Sequence, residues 1–248
     1  MADERLDHDE ESPWTGEHYF RYEEILKSVG DRDKVLDIAC GEGYGTFMIS
    51  KKTSNRVFGG DISSVAVAGC VEKWAAENLE FRVMNGTKLD FDSDYFDKVV
   101  SFETIEHTTE YMAMLHELKR VLKADGTAFI STPNILINSP KGYVENPYHT
   151  QEWQLHELQD ILAEVFASVR IFGQKYSRYD NPMIPKLGRT VEFVLNQRVI
   201  RRLPIKIKNI IAQFVIGKRF YPQSDDFGLV SDPSEIVKCQ TFFCICRK

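Results

Sequence analysis

The chain reads as an α/β protein: a doubly wound, mostly parallel sheet of seven strands, with a helical insertion before the last strand. Three observations carry this expectation. Apolar runs of strand length alternate with helical patterns from about residue 34 onward. The first run, KVLDIA (34–39), ends at a glycine-rich turn that opens a helix, as strands of doubly wound sheets do. The 248 residues, 43% hydrophobic and 27% charged, are enough for an ordinary folded core.

Residues 1–12 carry Asp3, Glu4, Asp7, Asp9, Glu10 and Glu11 against Arg5, which reads as a disordered acidic tail ahead of a domain spanning 13–248. From His18 to Val29 the pattern predicts a helix, and KVLDIA is the first strand. RVFGGD (56–61) predicts a strand and SSVAVAGCVEKWAAE (63–77) a helix. LEFRVMN (79–85) and DKVVSF (97–102) are strands. A helix covers Glu110–Leu122, with Gly126 as its terminator, and GTAFIST (126–132) is the fifth strand. A helix over 151–166 leads into SVRIFGQK (168–175), and TFFCICR (241–247) closes the sheet. The insertion spans 178–234. Between Phe193 and Ser224 it has no acidic residue, against Arg198, Arg201, Arg202, Lys206, Lys208, Lys218 and Arg219. After Pro204, the residues Ile207, Ile210, Ile211, Phe214 and Val215 follow helical spacing and predict one apolar face. Three readings of this segment stay open: a lid packing that face on the domain, peripheral contact with an anionic membrane surface through 193–224, and a homodimer interface.

Composition excludes several classes. A formal charge of -6 gives no reason to expect a nucleic-acid partner. Cys40, Cys70, Cys239, Cys244 and Cys246 are odd in number and form no CxxC pair, which argues against a disulfide scaffold or a zinc site and for reduced thiols in the cytoplasm, with attachment to the inner face of the membrane as the variant of that placement. The acidic N-terminus is not a signal peptide, and no apolar run is long enough to span a bilayer. No metal-ligand spacing is visible, so a metal-independent protein is expected.

The chemistry concentrates in VLDIACGEGYG (35–45). Glycines let backbone pass close to a ligand, and a helix start offers N–H groups. A dinucleotide site would show GxGxxG; here the spacing is GxGxG followed by Thr46. Asp37 lies inside the strand, where a carboxylate would not favour an anionic pyrophosphate but suits the ammonium of a cationic ligand. Twenty residues after Gly41, Asp61 ends the second strand, as an acid that receives ribose hydroxyls does. After the third strand, Asn85, Gly86 and Thr87 offer an amide acceptor and backbone N–H groups to an adenine. An ammonium, a ribose and an adenine without a phosphate binder describe S-adenosylmethionine.

VLDIACGEGYG, GGDIS, the MNGT turn, FDKVVSFETIEH and LHELKRVLKADGTAFISTPN resemble the successive motifs of class I S-adenosylmethionine-dependent methyltransferases. The likeness is to the group with quinone-biosynthesis O-methyltransferases and bacterial methyltransferases of sugar and polysaccharide pathways, over about 14–175 and the last strand. It implies that Asp37, Gly41 and Gly43 line the methionine side and that Asp61 holds the ribose, with Ile62 flanking the adenine. It further implies that Asn85, Gly86 and Thr87 hold the adenine, where relatives often carry Asp in place of Asn85. Glu103 and Thr104 would lie under the reacting methyl, and Arg21 would pair with the cofactor carboxylate.

For the acceptor, His107 in ETIEH and His149 in NPYH stand after strands four and five, at the edge where open α/β sheets bind ligands. Histidine suits removal of a hydroxyl proton, and Glu106 is the other candidate base. His116 and His156 fall in helical patterns and read as surface residues. The sequence expectation is an O-methyltransferase acting on a sugar or glycan intermediate. A small phenol or quinone precursor is the alternative acceptor. A non-catalytic S-adenosylmethionine-binding regulator is the alternative class.

Overall fold

The apolar runs become neighbours in one sheet. In the computed structural model, which describes residues 12–180 and 203–248, eight strands stand in the order β3-β2-β1-β4-β5-β8-β6-β7. They are β1 (Val35–Ile38), β2 (Val57–Asp61), β3 (Leu79–Val83), β4 (Phe96–Phe102), β5 (Leu122–Pro133), β6 (Ser168–Tyr176), β7 (Phe227–Val230) and β8 (Thr241–Arg247). The helices are α1 (Thr15–Leu26), α2 (Tyr44–Ser50), α3 (Ser64–Lys73), α4 (Tyr111–Val121), α5 (Ile135–Asn138), α6 (Leu155–Val165), α7 (Ile205–Ile216) and α8 (Pro233–Ile236). Strands β1 to β5 pair in parallel. Strand β8 lies antiparallel between β5 and β6. This is the expected doubly wound sheet with one strand more than seven: β7 is a four-residue strand inside the segment read as insertion.

Every position of β1 and β2 is buried, as strands of a parallel sheet covered on both faces must be. The described residues fall into two units: 24–175 with 229–248, and 12–23 with 176–180 and 203–228. In the first, Leu36, Phe96, Val99, Leu115, Leu118, Leu158 and Phe242 belong to one buried cluster. In the second, Ala212, Ile216 and Phe220 form a small cluster of their own, and Arg178 and Asp226 make a fully buried ion pair at 2.7 Å.

Several element ends differ from the sequence expectation for local reasons. Helix α3 stops at Lys73, not at 77, because Trp74 turns extended. Its indole Nε1 donates to the Glu42 carbonyl at 2.7 Å and its ring stacks on Phe47. Gly126 does not terminate α4: the helix ends at Val121, Leu122 is already extended, and Gly126 lies within β5. Helix α7 forms where the periodicity put it, and the apolar stripe divides: Ile211 and Val215 pack on a small buried cluster. Lys208, Ala212 and Ile216 are buried, whereas Ile207, Ile210 and Phe214 are exposed. Gly217 turns left-handed (φ 72), Asn209 Oδ1 accepts the Phe220 N–H at 2.8 Å, and Phe220 joins Ala212 and Ile216. Residues 1–11 of the expected acidic tail (1–12) and the stretch with Arg198, Arg201 and Arg202 lie outside the described residues. No helix among the described residues is long and apolar enough to cross a membrane.

Candidate functional site

Strand order places β1 and β4 side by side, with β2 beyond one and β5 beyond the other, so the chain's crossovers leave in opposite directions from this pair. Ligands of open α/β sheets bind at the carboxyl ends of such strands. Two non-glycine residues there adopt left-handed backbone, Ala39 (φ 60) after β1 and Glu103 (φ 48) after β4. That conformation is costly for residues with a Cβ and collects at functional sites. The glycine turn follows, with Gly41 at φ 54 and Gly43 at φ 73. A Cβ on Gly43 would stand 2.7 Å from Cys70 Sγ, whereas one on Gly41 would meet nothing within 4 Å, so the turn is packed below and open above.

Asp61 ties this turn to β2. Its Oδ2 accepts the Gly41 N–H at 3.1 Å and its Oδ1 the Ser63 N–H at 2.9 Å. Asp37 is buried and accepts the Thr46 hydroxyl at 2.6 Å, so it braces the start of α2 from beneath. Cys40, in the turn, has its thiol pushed well above the usual range, first by its hydrogen bond with Cys70, then by burial and by Asp37, which keeps it protonated. Ile62 is 71% exposed, an apolar shelf beside Asp61. Asn85 Oδ1 accepts both the backbone N–H and the hydroxyl of Thr87, each at 3.0 Å, which closes the turn around Gly86; a contact of Asn85, Gly86 and Thr87 with adenine stays a proposal. Glu103 Oε1 accepts the Ser131 hydroxyl at 2.6 Å, and Thr104 Oγ1 donates to the Phe102 carbonyl at 2.8 Å. Arg21 is buried on α1 and belongs to the second unit, so its pairing with a cofactor carboxylate stays a proposal.

The three acceptor-side candidates come together. Glu106 and His107 sit on a short 3-10 turn after β4, and His149 sits on the loop after α5. The two imidazoles stand edge to face with centroids 4.8 Å apart, and His107 Nε2 is 3.8 Å from Glu106 Oε1. His107 Nδ1 contacts the Tyr148 carbonyl at 3.1 Å; a carbonyl only accepts, so Nδ1 carries the proton. Asn146 Oδ1 accepts the Tyr148 N–H at 3.0 Å, which fixes its amide and points Nδ2 at His149 Nε2, 2.9 Å away. His149 therefore holds its proton on Nδ1 and donates it to Glu152 at 2.7 Å. Thr132 donates to Glu106 Oε2 at 2.9 Å.

Residues 35–126 match the methyltransferase domain family. The chain is 33% identical over 154 residues to a probable S-adenosylmethionine-dependent methyltransferase of Mycolicibacterium smegmatis, covering 62% of this chain and 58% of the relative. The chain carries a class I methyltransferase domain, with S-adenosylmethionine as its cofactor. It is also 35% identical over 109 residues to a demethylmenaquinone methyltransferase of Lactococcus lactis, covering 41% of this chain and 43% of that protein. The chain thus spans less than two thirds of the length of these relatives. The YcgJ protein of Bacillus subtilis shares the fold, with a TM-score of 0.60 at 17% identity over 93% of this chain and 99% of that one.

The methyltransferase domain's donor set fits this cofactor. Asp37 in β1, Asp61 at the end of β2 and Glu103 after β4 supply carboxylates at neighbouring strands, Asp61 bonds the Gly41 N–H, and the 35–45 stretch has no lysine or arginine. Such a set favours a sulfonium and an ammonium with ribose hydroxyls and disfavours a pyrophosphate. Asp61 and the turn would hold the nucleoside side, and Glu103 the side of the reacting methyl. The cofactor, when bound, supplies a methyl group already activated on a positively charged sulfur. Sequence reading missed the residues that orient this site: Thr46, Ser131, Thr132, Asn146 and Glu152. The His149–Glu152 spacing, NPYHTQE, was the one visible signal among them. Sequence spacing also did not show that Glu106, His107 and His149 each offer an atom within 4.8 Å of the other two.

Proposed function

We propose that the methyltransferase domain transfers a methyl group to a hydroxyl oxygen of a sugar or glycan intermediate, and that the acceptor loses its proton at the Glu106–His107–His149 cluster. In such a transfer the acceptor oxygen bonds the methyl carbon as the carbon–sulfur bond breaks and its electron pair goes to sulfur. Pre-alignment of the oxygen supplies much of the rate. The observation that carries the reading is the convergence of two oriented imidazoles and a buried carboxylate at the carboxyl edge, next to Glu103 in the chain. Polar side chains bond within and beside it (Asn146, Thr150, Gln151 and Glu152), which suits a hydroxyl-bearing acceptor. The test is transfer of labelled methyl to a panel of nucleotide sugars, glycans, catechols and quinols. Sugar or glycan acceptors are expected to turn over, and His107→Ala to lower kcat by about 10²–10⁴-fold, the range of a lost proton acceptor. Turnover of a quinol alone would support the quinone alternative, in keeping with the Lactococcus lactis relative's name. Tight cofactor binding with no turnover of any acceptor would support a regulator.

The reading extends to α7. Phe214 is 92% and Ile210 69% exposed, in a sequence stretch, Phe193–Ser224, that has no acidic residue. This supports contact with an anionic lipid surface, where apolar side chains enter the headgroup boundary and basic ones meet the lipid charge. The chain is expected to cosediment with phosphatidylserine vesicles, and Phe214→Glu to weaken that binding about tenfold, the loss of one buried aromatic side chain. Equal binding by Phe214→Glu would contradict it.

A further inference from the structure

We propose that Glu106, His107 and His149 form a binding site for one divalent transition-metal ion of the zinc class, with a coordination position left for the acceptor oxygen. The inference rests on reading this cluster as the place where the acceptor is deprotonated.

Three features of the geometry point to a metal. The first is convergence: one ligand atom from each of the three side chains lies within 4.8 Å of the others, and His107 Nε2 and Glu106 Oε1 are 3.8 Å apart. Ligands of a tetrahedral zinc ion at ordinary bond lengths stand about 3.3 Å from one another, so small side-chain rotations close the set. The second is tautomer. Both imidazoles carry their proton on Nδ1, so both hold a lone pair on Nε2, the form in which histidine binds metal. The third is the outer partners. Metal-ligating histidines are held by an acceptor on the opposite nitrogen, and ligating carboxylates are themselves hydrogen-bonded. Here the Tyr148 carbonyl holds His107, Glu152 holds His149, and Thr132 holds Glu106. All three ligands therefore have an orienting group. His149 Nε2 accepts from Asn146 Nδ2 at 2.9 Å, so an ion bound there must displace that N–H.

Two imidazoles and one carboxylate are the donor set of hydrolytic zinc centres, with three protein ligands and an open fourth position. A hydroxyl bound there is acidified by the ion and gives its proton to water or to a nearby carboxylate. A sugar with two adjacent hydroxyl groups could occupy the open side through both oxygens. The cluster would then serve the acceptor as a Lewis acid in place of a histidine base.

The test is metal content and zinc affinity of the full chain, without added acceptor. The protein is stripped with chelator, titrated with Zn²⁺ under competition with a chromophoric chelator, and compared with the His107→Ala/His149→Ala double variant and with Glu152→Gln. One equivalent is expected to bind to the wild type. The double variant is expected to lose that equivalent, and Glu152→Gln to bind about 10–100-fold more weakly, the usual effect of removing a histidine's outer partner. Retained S-adenosylhomocysteine affinity in the variants shows that they are folded. Absence of a one-equivalent site in the wild type, or the same affinity in the double variant, overturns the proposal. Failure of the metal site alongside loss of methyl transfer in His107→Ala leaves the proton-acceptor reading standing. A zinc site in a protein that methylates no acceptor leaves the metal inference standing and removes the functional one.

Discussion

Asp226→Ala is expected to destabilise the second unit by about 3–5 kcal/mol, the cost of leaving a buried charge without its counter-ion. Arg178 and Asp226 have no solvent exposure, and both Arg178 Nε (2.9 Å) and a terminal guanidinium nitrogen (2.7 Å) reach Asp226 Oδ2. The same oxygen accepts the Gln223 N–H at 3.0 Å, and Lys218 contacts Oδ1. Arg178 also donates to the carbonyls of Phe220 (3.2 Å) and Tyr221 (3.0 Å), so one guanidinium fixes the chain that follows α7. Burial alone would raise the Asp226 pKa, but the hydrogen bonds from Arg178, Lys218 and Gln223 outweigh it and hold the carboxyl below its ordinary 3.8. A depressed folded-state pKa means that this stabilisation is complete above the ordinary carboxyl value and is lost as pH falls through the folded one. Thermal melting and limited proteolysis within 203–228 read the effect. Arg178→Met combined with Asp226→Leu is expected to recover only part of the loss: the apolar pair carries no desolvation penalty, but the Phe220 and Tyr221 carbonyls and the Gln223 N–H lose these partners. A wild-type melting profile for Asp226→Ala would show that the pair contributes nothing.

The second large effect belongs to Asp61. Asp61→Ala is expected to lower affinity for S-adenosylhomocysteine at least about 100-fold. The carboxylate accepts N–H groups from Gly41 and Ser63, and hydrogen bonds to a charged group contribute roughly 1.5–3 kcal/mol each. Their loss releases the glycine turn, and the proposed ribose contact goes with it. Even a part of that energy spans two decades in affinity, at 1.4 kcal/mol per tenfold. Asp61→Asn keeps the shape but turns an NH₂ toward one of the two N–H donors, so it is expected to lose at least about tenfold as well. Calorimetric titration measures both. An Asp61→Ala protein that folds and binds like wild type would remove Asp61 from the cofactor site.

What could be read from the chain was what depends on near neighbours in sequence. KVLDIA and its glycines announce β1 and the turn because periodicity and glycine spacing are local. Asp61 is placed by the length of one β–α–β crossover, which varies little. The end of α3 was hidden because an indole bonding the Glu42 carbonyl is a tertiary event. The burial pattern of α7 was not legible for a related reason: apolar spacing gave one stripe of Ile207, Ile210, Ile211, Phe214 and Val215, whereas the left-handed turn at Gly217 brings Phe220 onto Ala212 and Ile216, so that Ile211 and Val215 pack there while Ile207, Ile210 and Phe214 stay exposed. The bonds from Thr87 to Asn85 Oδ1 are a local turn contact of the kind an Asn-Gly pair announces in sequence. The acceptor cluster was half legible. His107 and His149 could be placed at one sheet edge, but the partner of His107, Tyr148, lies 41 residues away, and nothing short of the fold sets their tautomers.

The central claim is that a carboxylate-lined glycine turn receives a cationic sulfur nucleoside and no pyrophosphate. Isothermal calorimetry of the full chain with S-adenosylhomocysteine, and separately with NAD⁺, tests it most directly. One equivalent of S-adenosylhomocysteine is expected to bind with measurable heat that Asp61→Ala abolishes, and NAD⁺ is expected to give none. No heat with S-adenosylhomocysteine, or NAD⁺ binding that depends on Asp61, would contradict it.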